Sequence, residues 1–323
     1  MPELSELDKK IIYELGKDAR QTHRKLAQTL HSKKETIAYH IKNLTEQNII
    51  TKFVPVISLT KLGISSAKIY VKIKGIADDN IIKTLVESKD ICWVATSIGQ
   101  WDLMVGFYYT DMIEFGKKKQ FILTILNKYI ESYDIVLNED ALVFNRDYLI
   151  QKGIEYRKQF IFHGQAAPTE ISESDKQLLS LIRNNGRFEA REIAKALNLD
   201  ARTVINRIKQ LEKQEIIQGY TVFLDLQKIN AQLHKMCITL ANHDSKELSK
   251  LISYLKTEPR TLHIIKTVAP WELEVEMEME SMPQLFEYIK KIKSNFPNTI
   301  KSINTVTIER ELKLEFFPAI QQI

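Results

Sequence analysis

The chain contains itself twice, and this limits what it can fold into more than any other feature. Shifted by 167 positions, residues 4–63 lie over residues 171–230 without a gap. Ser5-Glu6 meets Ser172-Glu173, Asp8-Lys9 meets Asp175-Lys176, and Arg20 meets Arg187. Further on, Arg24 meets Arg191, Thr36 meets Thr203, Ile41-Lys42 meets Ile208-Lys209, and Ile49-Ile50 meets Ile216-Ile217. A fixed offset over this length marks a duplicated unit, so the fold must be assembled from related modules.

In the first copy Leu7, Ile11, Ile12 and Leu15 recur at helical spacing, with Ser5 as N-cap and Gly16 ending the run. A short helix is expected at about 22–30 (Leu26, Ala27 and Leu30 on one face). A third is expected at about 34–47, with Ile37, Ile41 and Leu44 inward. A strand-like stretch follows from Ile49-Ile50 to about Leu59. Three helices with a tight turn between the second and third, then a strand, predict a winged helix-turn-helix. Leu178, Leu179, Ile182, Ile193, Leu197, Val204, Ile208 and Leu211 repeat the pattern.

After each head comes a second pattern, at a slightly different offset. Residues 67–74, 91–98, 101–109 and 132–147 read as strands, and 78–89 and 112–129 as helices. The order is βαββαβ, a ferredoxin-like arrangement. Its second copy runs 234–241, 245–257, 260–268, 271–280, 282–295 and 299–316. The fold class is therefore α+β, with two winged helix-turn-helix domains alternating with two ferredoxin-like domains. The expected boundaries are 1–52 and 171–219 for the heads, and 53–66 and 220–233 for connecting strands. The ferredoxin-like units fall at 67–150 and 234–318, and a linker at 151–170 ends in Gly164-Gln165-Ala166-Ala167-Pro168.

A length of 323 residues suits two to four domains, and 44% hydrophobic with 27% charged residues is ordinary for a soluble protein. No apolar run is long enough to span a membrane, and MPELSELDKK lacks the apolar core of a signal peptide. The chain is expected in the cytoplasm. Cys92 and Cys237 stand far apart in apolar runs, which predicts buried thiols and no disulfide or metal site. The seven histidines are scattered, so no catalytic constellation and no cofactor are expected. A net charge of +5 permits nucleic-acid binding, and its placement decides the matter.

In a helix-turn-helix the last helix enters the major groove of double-stranded DNA. Outward positions of that helix are Lys33, Lys34, Thr36, Tyr39, His40 and Asn43 in the first head. In the second they are Arg202, Thr203, Asn206, Arg207 and Gln210. Arg suits guanine, Asn and Gln suit adenine, and Thr suits a methyl or a phosphate. Lys33 and Lys34 oppose the helix macrodipole where Asp200 caps the second copy, which makes sense beside phosphates. Arg20, Arg24 and Lys25, with Arg187 and Arg191, lie where the motif crosses the DNA backbone. The two recognition helices differ, so one chain should prefer unlike half-sites, and a palindrome would require two chains.

The run Asp200-Ala-Arg-Thr-Val-Ile-Asn-Arg-Ile-Lys-Gln-Leu-Glu212, followed by Ile216-Ile217, resembles the recognition helix of the leucine-responsive/AsnC ("feast/famine") transcription regulators. The hairpin Thr96-Ser97-Ile98-Gly99-Gln100-Trp101-Asp102-Leu103 is similar to the ligand-domain signature of that family. The likeness covers nearly the whole chain, twice, as a tandem fusion. It implies an amino-acid-responsive DNA binder that assembles through face-to-face sheets. It also implies an effector near Gly99, Gln100, Trp101 and Asp102. Ala269-Pro270 stands at the second hairpin, where Pro removes both the glycine's freedom and an N–H.

One strand, Trp271 to Glu280, alternates apolar residues with Glu272, Glu274, Glu276, Glu278 and Glu280. Packed sheets would bury this row at a high cost unless it is paired. Lys68, Lys72 and Lys74 share one face of the first strand of copy one. Pairing of these lysines with Glu274, Glu276 and Glu278 would hold copy one against copy two and disfavour like-with-like association. The chain is thus expected to be a pseudo-dimer, a homo-oligomer or both. Two rival readings exist. One is a ligand sensor or interaction scaffold that no longer binds DNA. The other is an enzyme resembling the siroheme decarboxylases, whose His- and Arg-bearing hairpin is replaced here by Ile98-Gly99-Gln100-Trp101-Asp102.

Overall fold

The computed structural model describes residues 4–75, 78–150, 157, 159–164, 166–242 and 244–318. The first head is α1 (Glu6–Lys17), α2 (His23–Thr29), α3 (Lys34–Glu46) and β1 (Ile50–Ile57). Ser5 and Asp8 form a capping box: Asp8 N donates to Ser5 Oγ, and Ser5 N donates to the Asp8 carboxylate, each at 3.1 Å. Gly16 does not end α1. It lies within the last turn, where a Cβ would stand 2.1 Å from Asn145 Oδ1 and displace that amide.

The first ferredoxin-like unit follows as β2 (Ser65–Ile73), α4 (Asp79–Glu87), β3 (Ile91–Ile98), β4 (Leu103–Tyr109), α5 (Met112–Leu126) and β5 (Ile130–Phe144). The linker expected over 151–170 lies partly outside the described residues, and its described part is not structureless. It contains β6 (Gln159–His163), paired antiparallel with β5. Its Phe-Ile-Phe core is a short apolar run with strand character, and a linker reading overlooks that. The second head is α6 (Glu173–Ile182), α7 (Ala190–Leu197), α8 (Ala201–Lys213) and β7 (Ile217–Leu224). The second ferredoxin-like unit is β8 (Gln232–Leu240), α9 (Ser245–Thr257), β9 (Thr261–Val268), β10 (Leu273–Met279), α10 (Met282–Asn295) and β11 (Ile300–Leu314).

The duplication reaches the backbone. Left-handed residues recur at the same offset: His31 and Asn198, Asn48 and Glu215, Gly63 and Asn230, with φ between 49° and 69°. Each closes a tight turn after a helix, and the turn survives although the residue type changes. An αL conformation is uncommon outside glycine, so three repeats of it reflect inherited geometry.

Strands β5 and β11, each 15 residues long, connect the two sheets. The first half of β5 pairs with β2 and the second half with β9. In the same way β11 pairs with β8 and then with β3. The order β2-β4-β3-β11-β8-β10-β9-β5 closes through the β2–β5 pairing into an eight-stranded ring, with β6 attached outside it. Alternation sorts the side chains. Leu273, Val275, Met277 and Met279 face outward beneath Leu251, Leu255, Leu285 and Ile292 of α9 and α10. Ile69, Val71, Leu103 and Val105 do the same beneath Leu85, Phe115, Ile122 and Leu126. Each such side chain is worth roughly 1.5–3 kcal/mol when fully buried. The alternate residues point into the ring.

Candidate nucleic-acid interface and barrel interior

The heads are locked to each other. β1 and β7 pair antiparallel, and the flanking bonds are reciprocal under the 167-residue shift. Ala19 N donates to Tyr220 O at 3.0 Å, and Gly186 N to Phe53 O at 2.6 Å. Ser58 N donates to Ile216 O at 2.8 Å, and Asp225 N to Ile49 O at 3.0 Å. Lys61 Nζ reaches Gln214 O and Lys228 Nζ reaches Gln47 O, both at 2.7 Å. This is an isologous interface built inside one chain.

That interface takes two residues expected at DNA. Arg20 lies 4.1 Å over the Phe188 ring and donates to Gly186 O at 3.1 Å. Arg187 lies 4.4 Å over Phe53 and donates to Ala19 O at 2.6 Å. Each arginine clamps the opposite head, because β1–β7 pairing brings its helix edge against the other wing. Two recognition-helix positions are also engaged internally. His40 Nδ1 meets Asp8 at 2.8 Å, and Arg207 bonds Asp175 at 2.9 Å, tying α3 to α1 and α8 to α6. These four side chains have bonding partners within the protein, which the sequence reading did not foresee. His40 and Arg207 share one packing role, which explains why residues so unlike can occupy equivalent sites.

The others remain on the surface. Lys33, Lys34 and Tyr39 are exposed, Thr36 and Asn43 half-buried, and Arg24 and Lys25 exposed on α2. In the second head Arg191, Arg202, Asn206 and Gln210 are exposed. Thr203 is half-buried and belongs to the cap: its N donates to Asp200 at 2.8 Å. Lys33 is the N-cap of α3 and makes no side-chain cap bond.

The expected effector hairpin is mostly consumed by folding. Trp101 is buried against Trp271 at 5.0 Å between ring centroids and donates to Asp134. Asp102 accepts from Lys72 at 3.0 Å and from Ile73 N at 2.8 Å. Only Gly99 and Gln100 of the four are exposed. Gly99 has φ 141°, and a Cβ there would stand 3.1 Å from Thr305 O. Trp101 and Asp102 are therefore hairpin-closing groups. Two tryptophans at equivalent positions meet at the centre of the pseudo-dimer, and one chain of the sequence read alone does not reveal that.

Inside the ring a charge network crosses between the halves. Lys68 and Lys235, equivalent under the duplication, both bond the single carboxylate of Glu274, Lys235 at 3.0 Å. Tyr70 donates to Glu274 at 2.9 Å and Trp271 at 3.1 Å. Burial would raise the Glu274 carboxyl, but Lys235 and Lys68 outweigh it and hold it at about 2. Glu276 pairs with Lys235 at 2.7 Å and His263 at 2.5 Å. Burial opposes its charge, and Lys235 above all, with the His263 hydrogen bond, overcomes that and depresses it well below the carboxylate range. Burial lowers Lys68, which has one carboxylate and faces Lys235. Glu278 is taken by Arg146, at 2.9–3.0 Å, and by Tyr148.

Of the lysines expected at this row, only Lys68 reaches it. Lys72 sits over Asp102 instead, and Lys74 is exposed past the strand end. The sequence reading missed Lys235, Arg146 and His263. Lys235 carried a usable signal, since it is the duplicate of Lys68. Among the described residues no cluster of His, Cys, Asp and Glu suits a metal ion, and no helix is long and apolar enough to cross a membrane.

A winged helix-turn-helix DNA-binding family model matches the chain twice, at residues 4–51 and 171–218. An uncharacterized HTH-type transcriptional regulator of Pyrococcus furiosus is 28% identical over 125 residues, covering 39% of this chain and 83% of that protein. A similarly described protein of Pyrococcus abyssi is 25% identical over 147 residues, 45% of this chain and 97% of that one. Over the whole length, the fold is similar to that of the siroheme decarboxylase NirDL, with TM-score 0.60 and 13% identity across 98% of this chain and 95% of that one. At that identity the likeness concerns the fold.

Proposed function

We infer that this chain, an Lrp/AsnC-like tandem repeat with two winged helix-turn-helix DNA-binding domains, is a sequence-specific DNA-binding transcription regulator. The observation that carries the reading is the reciprocal lock between the heads, which leaves two unlike polar recognition helices exposed on one rigid unit. Arg202, Asn206 and Gln210 are the base-reading candidates of the second head, and Thr36, Tyr39 and Asn43 those of the first. Lys33, Lys34, Arg24, Lys25 and Arg191 supply charge for phosphates. A fixed lock means a fixed spacing between unlike half-sites.

Selection of bound sequences from a random double-stranded DNA pool, at two salt concentrations, tests this. The expected result is a site of two unlike halves, with affinity falling steeply as salt rises, about −0.9 in log–log slope per phosphate neutralised. Enrichment of nothing, with weak binding that salt abolishes, moves the chain to a sensor or scaffold. Tetrapyrrole chemistry of the kind named for the fold neighbour is checked by titrating haem-type macrocycles and watching for a shifted absorption band.

A further inference from the structure

The interior of the ring is not filled. A cavity of about 190 Å³ lies between the two halves, roofed by Thr221, Val222 and Phe223 of β7. Perfect duplication would give it two equal walls, but the copies have diverged. One wall is Trp93, Gly106 and Tyr108; the opposite wall, at the matching strand positions, is His263, Glu276 and Glu278. Phe162 and Phe316 extend the aromatic side. The cavity is thus polarised, apolar on one side and charged on the other, where Glu276 and Glu278 are already paired and Lys68 and Arg146 also line it.

Its charges do not balance. The network holds the carboxylates Glu274, Glu276, Glu278 and Glu311 against the cations Lys68, Lys235 and Arg146, with His263 able to add a fourth. Glu311 is the member with no cation at ion-pair distance among the described residues; its partner is Trp93 Nε1 at 2.9 Å. Surrounding protein pushes its carboxyl up to about 6, against that hydrogen bond and with Glu276 adding to the rise. Yet the side chain reaches solvent, because Glu311 stands where the cavity meets a wider groove beside β11, which Leu314, Phe223 and Leu233 also line. On the first half, β6 runs along β5 at the corresponding place. Access is therefore one-sided.

We propose that this cavity is a binding site for a small organic cation, a primary amine with an apolar or aromatic body, entering by the β11 groove. The ammonium pairs with Glu311 and completes the charge balance, while the body lies against Trp93, Tyr108 and Phe316. Because β7 forms the roof, the occupant touches the wing strand that locks the two heads.

The test uses the full chain and follows tryptophan fluorescence and calorimetry with phenethylamine, tyramine and isoamylamine. The acid 3-phenylpropionate, of matched size, is the control. Amines are expected to bind and the acid not. Glu311→Gln should weaken amine binding at least tenfold, and so should Ala141→Leu, which fills the cavity without touching its charges. Glu131→Gln, at an exposed position on β5 that lines neither the cavity nor the groove, should change nothing. Denaturant midpoints confirm that each variant is folded. Three results overturn the proposal: equal binding of acid and amine, no amine binding at millimolar concentration, or full affinity in a folded Glu311→Gln.

Discussion

The two halves of the chain agree where they hold backbone and differ where they share an interior. At the head interface the contacts repeat bond for bond: Ala19 with Gly186, Ser58 with Asp225, Lys61 with Lys228. Their acceptors are carbonyl oxygens, which any sequence provides, so both copies keep the same donors. Inside the ring symmetry is costly. Duplication places Lys68 and Lys235 together on the axis, and two buried like charges repel. Glu274 relieves both, and its counterpart in copy one is Met104, so one acidic row serves the pair. The same divergence separates Trp93 from His263 and Gly106 from Glu276. The flank differs too: β6 lies along β5, while the matching edge of β11 lines an open groove of about 1010 Å³.

The hardest blow to this arrangement is loss of the shared carboxylate. Glu274→Gln leaves buried Lys68 without its carboxylate and Lys235 with Glu276 alone, and should cost about 3–5 kcal/mol in urea unfolding. Lys68→Met added to it should recover part of that, and a merely additive loss would mean that the lysines do not share the carboxylate. The same group sets an acid limit. Its folded pKa, about 2, lies below the unfolded value near 4.5. Its contribution is therefore complete above about pH 4.5 and is lost as pH falls toward 2.

Next is the asymmetric strand. His163 on β6 is buried beside Ser66 Oγ at 2.7 Å, and burial, with Lys68 nearby, lowers its pKa to about 4. The fold favours the neutral ring, so this support is complete above about pH 6.5 and is lost as pH falls to about 4. It amounts to roughly 3 kcal/mol at most. Hydrogen exchange at pH 5 should show the β5–β6 pairing opening before β5–β9. Simultaneous opening would mean that β6 is no separate unit.

The reciprocal arginines come third. Arg187→Ala should cost about 1–2 kcal/mol, and Arg20→Ala less, because Arg20 is the more exposed. Neither should reduce the salt slope of DNA binding by the unit expected for a lost phosphate contact. A slope change without a stability change would return these residues to the DNA. Smallest is the cap. Lys33→Asp gives α3 the cap that Asp200 gives α8 and should stabilise the first head by about 1 kcal/mol while weakening DNA binding. Unchanged DNA affinity would remove Lys33 from the interface.

The element plan was legible in the sequence alone, because periodicity, caps and the fixed offset are local signals that burial reinforces. Ser5 and Ser172 cap as their spacing requires, and the strict alternation of β10 fixes which face meets α9 and α10. The exposed half of each recognition helix was legible for the same reason. Only tertiary structure decided which polar residues were free. Arg20 and Arg187 read as phosphate contacts, and β1–β7 pairing also sets each against the opposite head; Trp101 reads as an effector contact, and the fold also packs it against Trp271. A side chain's type records what it can bond, whereas its partner is set by elements more than a hundred residues away. The closed ring, the single acid serving two lysines and the cavity left between diverged walls arise from that long-range placement, to which no local period corresponds.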